Sequence, residues 1–493
     1  MGGFGSFVGF SEKKNNDKTF KTFNPIKNSY NQEIYSIASD RDVQNALELA
    51  SNYYEADYPP SNADRVLFFN YLMKFLKEDE QKLKNTYCKE TGLSQQRFTT
   101  EFNRTIDTIN KFSKLINTPS WEKISSNHDL TTNIRIEKHR VALGPVLVFG
   151  ASNFALAYST AGGDTIAALA AGCPVIVKSH PFHAETSYLV AKAIIKANQI
   201  SKLPEGFFSH LQDDSHHIAQ ALITSENIKA ISFTGSFKGG KSVFDMAMQR
   251  KTPIPVFSEM GSTNPIILFK DKIKENKSFW VDKISTSICN DAGQFCTKPG
   301  IIFYPKENQD NNFIELLTKK VIETKPVWMV HPSMLKKYNA LINERKKQCN
   351  GQLYQSTKNK DTNKAKPTLL SIEIKDFIST PSLQEEVFGP FCLLISYSSI
   401  EELKKGLKKI EGQLTFSFIG NESKFEQYKT VINIGINRAG RVIFNDVPTG
   451  VQTTSSMHHG GPYPASTDSR FTAVGTDSIL RFTRPIAFQT KKS

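Results

Sequence analysis

Three polar residues that follow apolar segments have side chains suited to acyl chemistry. Cys296 comes after a glycine-bearing turn, where backbone N–H groups can stabilise a nucleophilic thiolate. Glu259 follows an apolar strand candidate and precedes a glycine, which suits a general base. Asn153 follows another such segment and can donate a hydrogen bond to an oxyanion. Taken singly, each has a plainer and more common interpretation: a buried thiol, an exposed strand end and a turn residue.

The segments that would position these residues alternate between apolar strands and helices. This alternation after Arg140 predicts a parallel, doubly wound α/β sheet with ligands at the carboxyl ends of its strands. A second series of apolar segments begins after Pro255, so we expect two α/β lobes. The strand candidates are 141–150, 173–177, 207–211, 230–234, 266–269, 300–304, 391–396, 414–419 and 441–444. Residues 306–366 predict helices with surface loops, and 450–485 predict an ordered loop near a site.

The composition is typical of a folded, water-soluble chain. Its 493 residues include 62 Lys and Arg against 48 Asp and Glu, a net charge of +14. Basic residues are interspersed with acidic ones and no apolar run reaches the roughly 20 residues of a membrane span, so we expect neither nucleic-acid binding nor membrane insertion. The six cysteines show no CxxC pair and no zinc-ligand spacing. They predict a reducing, cytoplasmic location and no metal.

Six motifs occur together in a fixed order along the chain. They are 149–154, Lys178, 233–236 with Gly239, 259–261, 293–296 and 386–390. On these motifs the sequence resembles the aldehyde dehydrogenase superfamily from about Thr19 to Gln489. The resemblance implies that Cys296 attacks the aldehyde carbon and that the Asn153 amide, with the Cys296 N–H, holds the oxyanion. Hydride transfer to a nicotinamide then leaves a thioester, which Glu259 helps to hydrolyse by activating water.

The resemblance also implies the domain organisation. We expect a Rossmann-type cofactor domain over 1–122 and 141–257 and an α/β catalytic domain over 258–471. A small β arm, 123–140 with 472–493, would join subunits into a homodimer or homotetramer. The alternating apolar residues of this arm would equally suit a hairpin packed on its own chain.

A third implication is the set of cofactor residues. In the family, the strand-end lysine and the glutamate of the 386–390 motif hold ribose hydroxyls, the phenylalanine packs near the nicotinamide ribose, and the serine after the glycine lies by the pyrophosphate. The matching positions are Lys178, Gly235, Ser236, Gly239, Glu386 and Phe388, and Lys178, Ser179 and His180 could accept a 2′-phosphate. Many NAD-preferring members carry Glu where this chain has Pro181. We therefore expect NADP, with NAD still open. Lys178 as a solvated strand end and Phe388 as a core residue remain alternatives.

Other segments resemble one branch of the family. Residues 150–154, 177–181 and 448–470 look like the enzymes that oxidise 2-oxoglutarate semialdehyde (2,5-dioxopentanoate) to 2-oxoglutarate. For the substrate carboxylate we predict Arg104, helped by Ser456 and His458, although a surface salt bridge is an equal alternative for Arg104. Asp291 stands where many members have Asn.

Three other functions stay open at this point: oxidation of another semialdehyde such as succinate semialdehyde, acyl transfer to coenzyme A, and a catalytically silent binding protein. Retention of Cys296, Glu259 and Asn153 disfavours the silent protein. The presence of Glu259, which serves hydrolysis of the thioester, disfavours transfer to coenzyme A.

Overall fold

Two large sheets organise the chain. The computed structural model describes residues 3–15, 17–56, 59–119, 121–270, 275–306, 312–357 and 363–491. Within these ranges the strands form two seven-stranded sheets, one three-stranded sheet and three two-stranded ribbons. The ribbons pair Thr19–Phe20 with Tyr35–Ser36, Phe23–Asn24 with Ser29–Tyr30, and Val327–Trp328 with Lys364–Ala365. None of the described helices is long and apolar enough to cross a membrane.

The first sheet is doubly wound, as the alternation of strands and helices predicted. Its strands in spatial order are Val256–Glu259, Ala230–Thr234, Val146–Phe149, Val175–Lys178, Phe208–Leu211, Ser6–Val8 and Ser11–Lys13. The first five run parallel, and the two N-terminal strands are antiparallel to their neighbours. Chain order reverses between Val146–Phe149 and Ala230–Thr234, which is the position where such sheets bind ligands. The sequence did not reveal the two N-terminal strands.

Helices cover both faces of this sheet. Val146 and Val148 point into one hydrophobic core, whereas Leu147 and Phe149 point into the other, as the alternation of side chains along a strand requires. The helices of this part are Asp40–Tyr54, Asn62–Glu78, Glu80–Thr91, Gln95–Ile116, Gly163–Ala170, Ala184–Ile200, His217–Thr224 and Phe237–Met248. The first two begin with capping boxes, which satisfy backbone N–H groups at the helix start.

The second sheet carries the other lobe. Its order is Gln352–Gln355, Thr368–Glu373, Phe391–Tyr397, Ile301–Pro305, Ile266–Leu268, Gln413–Ile419 and Ala439–Phe444. All neighbours are parallel except the first pair. Its helices are Lys277–Cys289, Phe313–Glu323, Pro332–Gln348, Ile374–Ser379, Ile400–Leu407 and Lys429–Ile436. The prediction of only helices and loops for 306–366 was incomplete, because this segment also contains the strands Val327–Trp328, Gln352–Gln355 and Lys364–Ala365, which are too short to show a strand period.

The three-stranded antiparallel sheet projects mostly exposed side chains. It consists of Lys123–Asp129, Ile134–Ala142 and Thr483–Lys491. The preceding 3₁₀ turn, Thr476–Phe482, buries Ile479 and Phe482 in the core of the first sheet instead. The remaining 3₁₀ turns are Pro181–His183, Glu205–Phe207, Asn290–Gly293, Pro381–Gln384 and Glu422–Tyr428.

Candidate active site

The loop that carries Cys296 has an unusual backbone. It leaves the helix Lys277–Cys289 through three successive residues with positive φ, namely Asp291 (46°), Ala292 (56°) and Gly293 (63°). For residues with a Cβ this conformation costs about 1–2 kcal/mol each. Glycine is required at the third position, where a Cβ would lie 2.5 Å from the Gly389 carbonyl oxygen. Contacts from outside the loop must therefore hold this conformation.

Two acid–base side chains face the thiol. Glu259 is the last residue of the strand Val256–Glu259, and His459 comes from the irregular segment after the last strand of the second sheet. His459 is fully buried, and its Nε2 lies 3.6 Å from Cys296 Sγ and 3.1–3.2 Å from the two carboxylate oxygens of Glu259. The backbone N–H of His459 donates to Thr472 Oγ1 at 2.9 Å. His459 was not among the predicted site residues, although the His doublet before two glycines was a signal; its neighbour His458 was predicted instead.

The surroundings of this trio shift the pKa of the thiol upward and the pKa of the carboxyl downward. Burial, and next the charge of Glu259, raise the pKa of Cys296 well above that of an ordinary thiol. Burial also acts to raise the pKa of Glu259, but the facing His459 and Cys296 side chains outweigh it and leave this pKa below its usual value. Glu259 is therefore ionised at neutral pH and can accept a proton, while Cys296 rests as a thiol.

Asn153 lies at the cysteine loop, as the motif order implied. Its side-chain Nδ2 donates to the Gln294 carbonyl oxygen at 3.0 Å, two residues before Cys296. One of the two amide hydrogens is used in this way, and the other remains available to a developing oxyanion. The structure thus brings Cys296, Glu259 and Asn153 together from three separate parts of the chain.

Arg97, on the helix Gln95–Ile116, connects the two loops and was not predicted. Its guanidinium is 3.0 Å from Asp291 Oδ2 and donates to the Asn153 carbonyl oxygen at 3.5 Å. It also lies between the rings of Phe154 and Phe295, 4.3 and 4.2 Å from their centroids. Arg97 thereby holds the Asn153 loop and the cysteine loop together.

Two cavities meet at Cys296. One, of about 910 Å³, is lined by helix Gln95–Ile116 and by the aromatic residues next to the thiol. The other, of about 410 Å³, lies at the carboxyl ends of the first sheet, against Glu259 and the 386–388 segment. Because the thiol reaches both spaces, a small substrate in the first and a second reactant in the other would meet at one sulfur atom.

Six of the eight predicted cofactor residues line the second cavity. They are His180, Gly235, Ser236, Gly239, Glu386 and Phe388. The remaining two are packed behind it: Lys178 Nζ donates to the Asp213 carbonyl oxygen at 2.8 Å, and Ser179 is fully buried. Five residues that also line this cavity were not predicted: His216, Met334, Lys337, Tyr338 and Leu341.

The second cavity fits a dinucleotide. Ser236 caps the helix Phe237–Met248, and the first-turn N–H groups of that helix are suited to phosphate. A Cβ at Gly235 or Gly239 would approach the Phe233 ring to 2.8 or 2.9 Å, so glycine keeps the backbone close to this space. Burial raises the pKa of Glu386 to about 7, which leaves this carboxyl able to exchange hydrogen bonds with a hydroxyl.

One of the three predicted substrate residues reaches the first cavity. Arg104 lines it and donates to the Val451 carbonyl oxygen at 2.6 Å and to Tyr158 Oη at 3.0 Å. Ser456 is exposed and His458 is half-buried, and neither lines the cavities described above.

A doubly wound nucleotide-type sheet set against a lobe that presents a half-buried cysteine is typical of nicotinamide-dependent oxidoreductases. Residues 11–484 match the aldehyde dehydrogenase family, and the chain belongs to that family. It is an aldehyde dehydrogenase and uses NAD or NADP.

Two relatives are similar over almost the full chain. An alpha-ketoglutaric semialdehyde dehydrogenase of Acinetobacter baylyi is 35% identical over 96% of this chain and 91% of its own length. Alpha-ketoglutaric semialdehyde dehydrogenase 2 of Azospirillum brasilense is 32% identical over the same shares. Among solved structures, a mutant of 1-pyrroline-5-carboxylate dehydrogenase of Thermus thermophilus superposes with a TM-score of 0.85 at 18% identity, covering 100% of this chain and 94% of that one. Aldehyde dehydrogenase 21 of Physcomitrella patens gives 0.83 at 19%, covering 99% and 98%. These structures establish the fold.

Proposed function

We propose that this enzyme oxidises 2-oxoglutarate semialdehyde (2,5-dioxopentanoate) to 2-oxoglutarate with NADP. The observation that carries the proposal is Arg104, a cation in the cavity that ends at Cys296. It forms no ion pair with a carboxylate among the described residues. The names of the two relatives at 35% and 32% identity support the same substrate. A five-carbon acid with an aldehyde at one end would place its carboxylate at the arginine and its aldehyde at the thiol.

Cation pairing supports this assignment. Arg97 and Lys283 also line the first cavity, but Asp291 neutralises Arg97 at 3.0 Å and Asp446 neutralises Lys283 at 2.8 Å. Within the described residues no carboxylate lies within 4.0 Å of the Arg104 guanidinium, whose two hydrogen bonds go to neutral oxygens. A substrate carboxylate would therefore find a charged donor pair that is not already neutralised.

The chemistry follows from the trio around the thiol. The S–H proton of Cys296 passes to Glu259, which His459 holds in place, and the sulfur attacks the aldehyde carbon. The oxyanion accepts hydrogen bonds from the Asn153 amide and the Cys296 N–H. A nicotinamide bound in the second cavity would supply the hydride acceptor that formation of a thioester on Cys296 requires. Glu259 passes its first proton to solvent and then removes a proton from the water that attacks this thioester, which releases the acid and the Cys296 sulfur.

The preference for NADP rests on the end of the strand Val175–Lys178. Pro181 starts the turn Pro181–His183 and offers no carboxylate to a ribose hydroxyl or against a 2′-phosphate. His180 and His216 line the adjacent cavity. Burial drives the pKa of His180 far below its usual value, so this side chain would offer the phosphate a neutral N–H rather than a charge.

The test is steady-state formation of NADPH and NADH with 2,5-dioxopentanoate, with Cys296→Ser as a control and with product analysis in the presence and absence of coenzyme A. We expect turnover with NADP that disappears in Cys296→Ser and free 2-oxoglutarate as product. Arg104→Ala should raise KM at least tenfold for the dioxo acid and leave KM for propanal unchanged. Equal effects on both aldehydes, or turnover of propanal without turnover of the dioxo acid, would contradict the proposed substrate.

We also propose a cofactor domain over 1–122 and 141–257 and a catalytic domain over 258–471, with Thr476–Phe482 packed in the core of the first sheet rather than in the arm. The three-stranded sheet then joins subunits into a homodimer or homotetramer. It exposes large apolar side chains: Leu130 is 82% exposed, Phe488 51% and Ile136 42%. Phe488 lies opposite Glu137 and Ile136 opposite Gln489, so these apolar side chains lie on opposite faces of the sheet, whose exposed edges can pair with another chain. Light scattering should give a dimer or larger, and Phe488→Lys with Ile136→Lys should give monomers.

All six cysteines are free, which supports the proposed cytoplasmic location.

A further inference from the structure

The trio around the thiol also has the composition of a metal site. Cys296 offers sulfur, His459 nitrogen and Glu259 oxygen, and these ligand atoms all lie within 4.8 Å of one another. Thiolate, imidazole and carboxylate are the side chains that bind zinc in proteins. The sequence predicted no metal because these ligands are not close in sequence: His459 is 163 residues from Cys296.

The distances suit a tetrahedral ion. Bonds of about 2.0–2.3 Å place neighbouring ligand atoms of tetrahedral zinc about 3.3–3.6 Å apart. His459 Nε2 lies 3.6 Å from Cys296 Sγ and 3.1–3.2 Å from the Glu259 oxygens. On these two edges an ion would require side-chain shifts of a few tenths of an ångström. On the third edge, where the Cys296 and Glu259 ligand atoms lie within 4.8 Å of each other, it would require a shift of about 1.2 Å or less.

The Glu259 carboxylate has unused electron pairs, and the trio is open to solvent on the side of Cys296. Glu259 is only 5% exposed, and its Oε2, although 3.1 Å from His459 Nε2, makes no well-aligned hydrogen bond among the described residues. Such a buried, unsatisfied oxygen is costly unless something binds it. Cys296 borders both cavities, so an ion can reach the trio and keep a fourth position for water.

We propose that a divalent ion of the zinc class binds Cys296, His459 and Glu259 and holds the enzyme in a reversible inactive state. Binding breaks the S–H bond of Cys296, forms a metal–sulfur bond and releases the proton to solvent, with no change of oxidation state. The nucleophile and the base are then both occupied, so metal binding and turnover exclude each other. Magnesium and calcium, which prefer oxygen ligands, should not bind here.

Cobalt(II) is a suitable probe, because its bond to a thiolate gives an ultraviolet charge-transfer band. The full-length enzyme, freed of metal by a chelator, is titrated with cobalt(II) in the absence of substrate and cofactor. We expect one ion per chain, displacement of cobalt by zinc, and loss of the band in Cys296→Ser. His459→Asn and Glu259→Gln should each weaken binding by at least about a hundredfold.

The matched control is His217→Ala, which removes an exposed histidine that lies 2.7 Å from Asp40 and outside the cavities described above. It should leave the cobalt affinity unchanged. Circular dichroism identifies any variant that fails to fold, and the remaining ligand variants then decide. A titration without a charge-transfer band, or equal affinity in wild type and all folded ligand variants, would overturn the proposal.

These readouts need no substrate, so the metal site and the proposed substrate succeed or fail separately. In wild type with any aldehyde it accepts, zinc should abolish turnover and a chelator should restore it. Turnover that is unaffected by zinc at concentrations that displace cobalt would also overturn the inactive state.

Discussion

Replacing Arg97 by Met should slow catalysis on every aldehyde without abolishing the fold. Arg97 is nearly buried and contacts both loops that carry the reacting groups: Asp291 in the cysteine loop and the carbonyl oxygen of Asn153. Methionine fills part of the space between Phe154 and Phe295 but makes neither polar contact. The positive-φ run that begins at Asp291 then loses its external support.

The magnitude follows from these contacts. Removing one partner of a buried ion pair costs about 3–5 kcal/mol. The cost should lie at the low end of this range, because the Asp291 side chain is already 18% exposed and can turn to water. Glu101, the second anion near Arg97, keeps the Tyr87 hydroxyl at 2.7 Å and the N–H of Leu156 at 2.7 Å. Misplacing a reacting group by about 1 Å costs about a hundredfold in rate, which is our expected loss in kcat.

The assay compares kcat and KM for propanal and for 2,5-dioxopentanoate, with the folded fraction measured by urea unfolding. A positioning role predicts the same loss of kcat for both aldehydes, because the defect lies at the thiol. Asp291→Asn is the matched control: an amide oxygen still accepts from Arg97, and we expect less than a tenfold loss. If Arg97→Met is folded and retains kcat within threefold, or loses activity only on the anionic aldehyde, the reasoning is wrong.

Three further predictions concern charge. Glu259→Gln removes a charge that, next to burial, raises the pKa of Cys296, so more thiolate should form at pH 7. Iodoacetamide should then alkylate Cys296 faster while turnover falls. Slower alkylation would refute the effect of Glu259 on the thiol. Pro181→Glu should lower the ratio of kcat/KM for NADP to that for NAD at least tenfold, and an unchanged ratio would count against our cofactor assignment. Asp164→Ala leaves the buried Arg481 unpaired, a 2.6 Å contact in the wild type, and should cost about 3–5 kcal/mol in urea unfolding; a cost under about 1 kcal/mol would contradict this role.

The strands of both large sheets were predictable where they are buried apolar runs, such as Val146–Phe149 and Val175–Lys178. The N-terminal strand Ser6–Val8 was not, since three residues carry no period and its pairing of Phe7 with His210 is a distant tertiary contact. Length and local pattern set this limit, because short strands are selected by the neighbour they pair with rather than by their own sequence.

The same limit applied within the site. The motifs placed Cys296, Glu259 and Asn153, whose neighbours in sequence carry a recognisable pattern. His459 and Arg97 act through partners 163 and 194 residues away, and no local pattern reports such a contact. Their roles depend on tertiary distances, which spacing rules based on sequence neighbours cannot supply.

Arg97 and Arg104 have different proposed roles because their hydrogen-bonding and ion-pair partners differ, although both lie on the same helix. They are seven residues apart on the helix Gln95–Ile116, which places both on one face, and both line the first cavity. Asp291 neutralises Arg97 and fixes it between two rings, so it can hold the loops but offers little to an incoming anion. Among the described residues Arg104 is bound by a carbonyl and a hydroxyl alone, so its charge is available. It follows that Arg104→Ala should affect the KM of anionic aldehydes, whereas Arg97→Met should affect the kcat of all aldehydes.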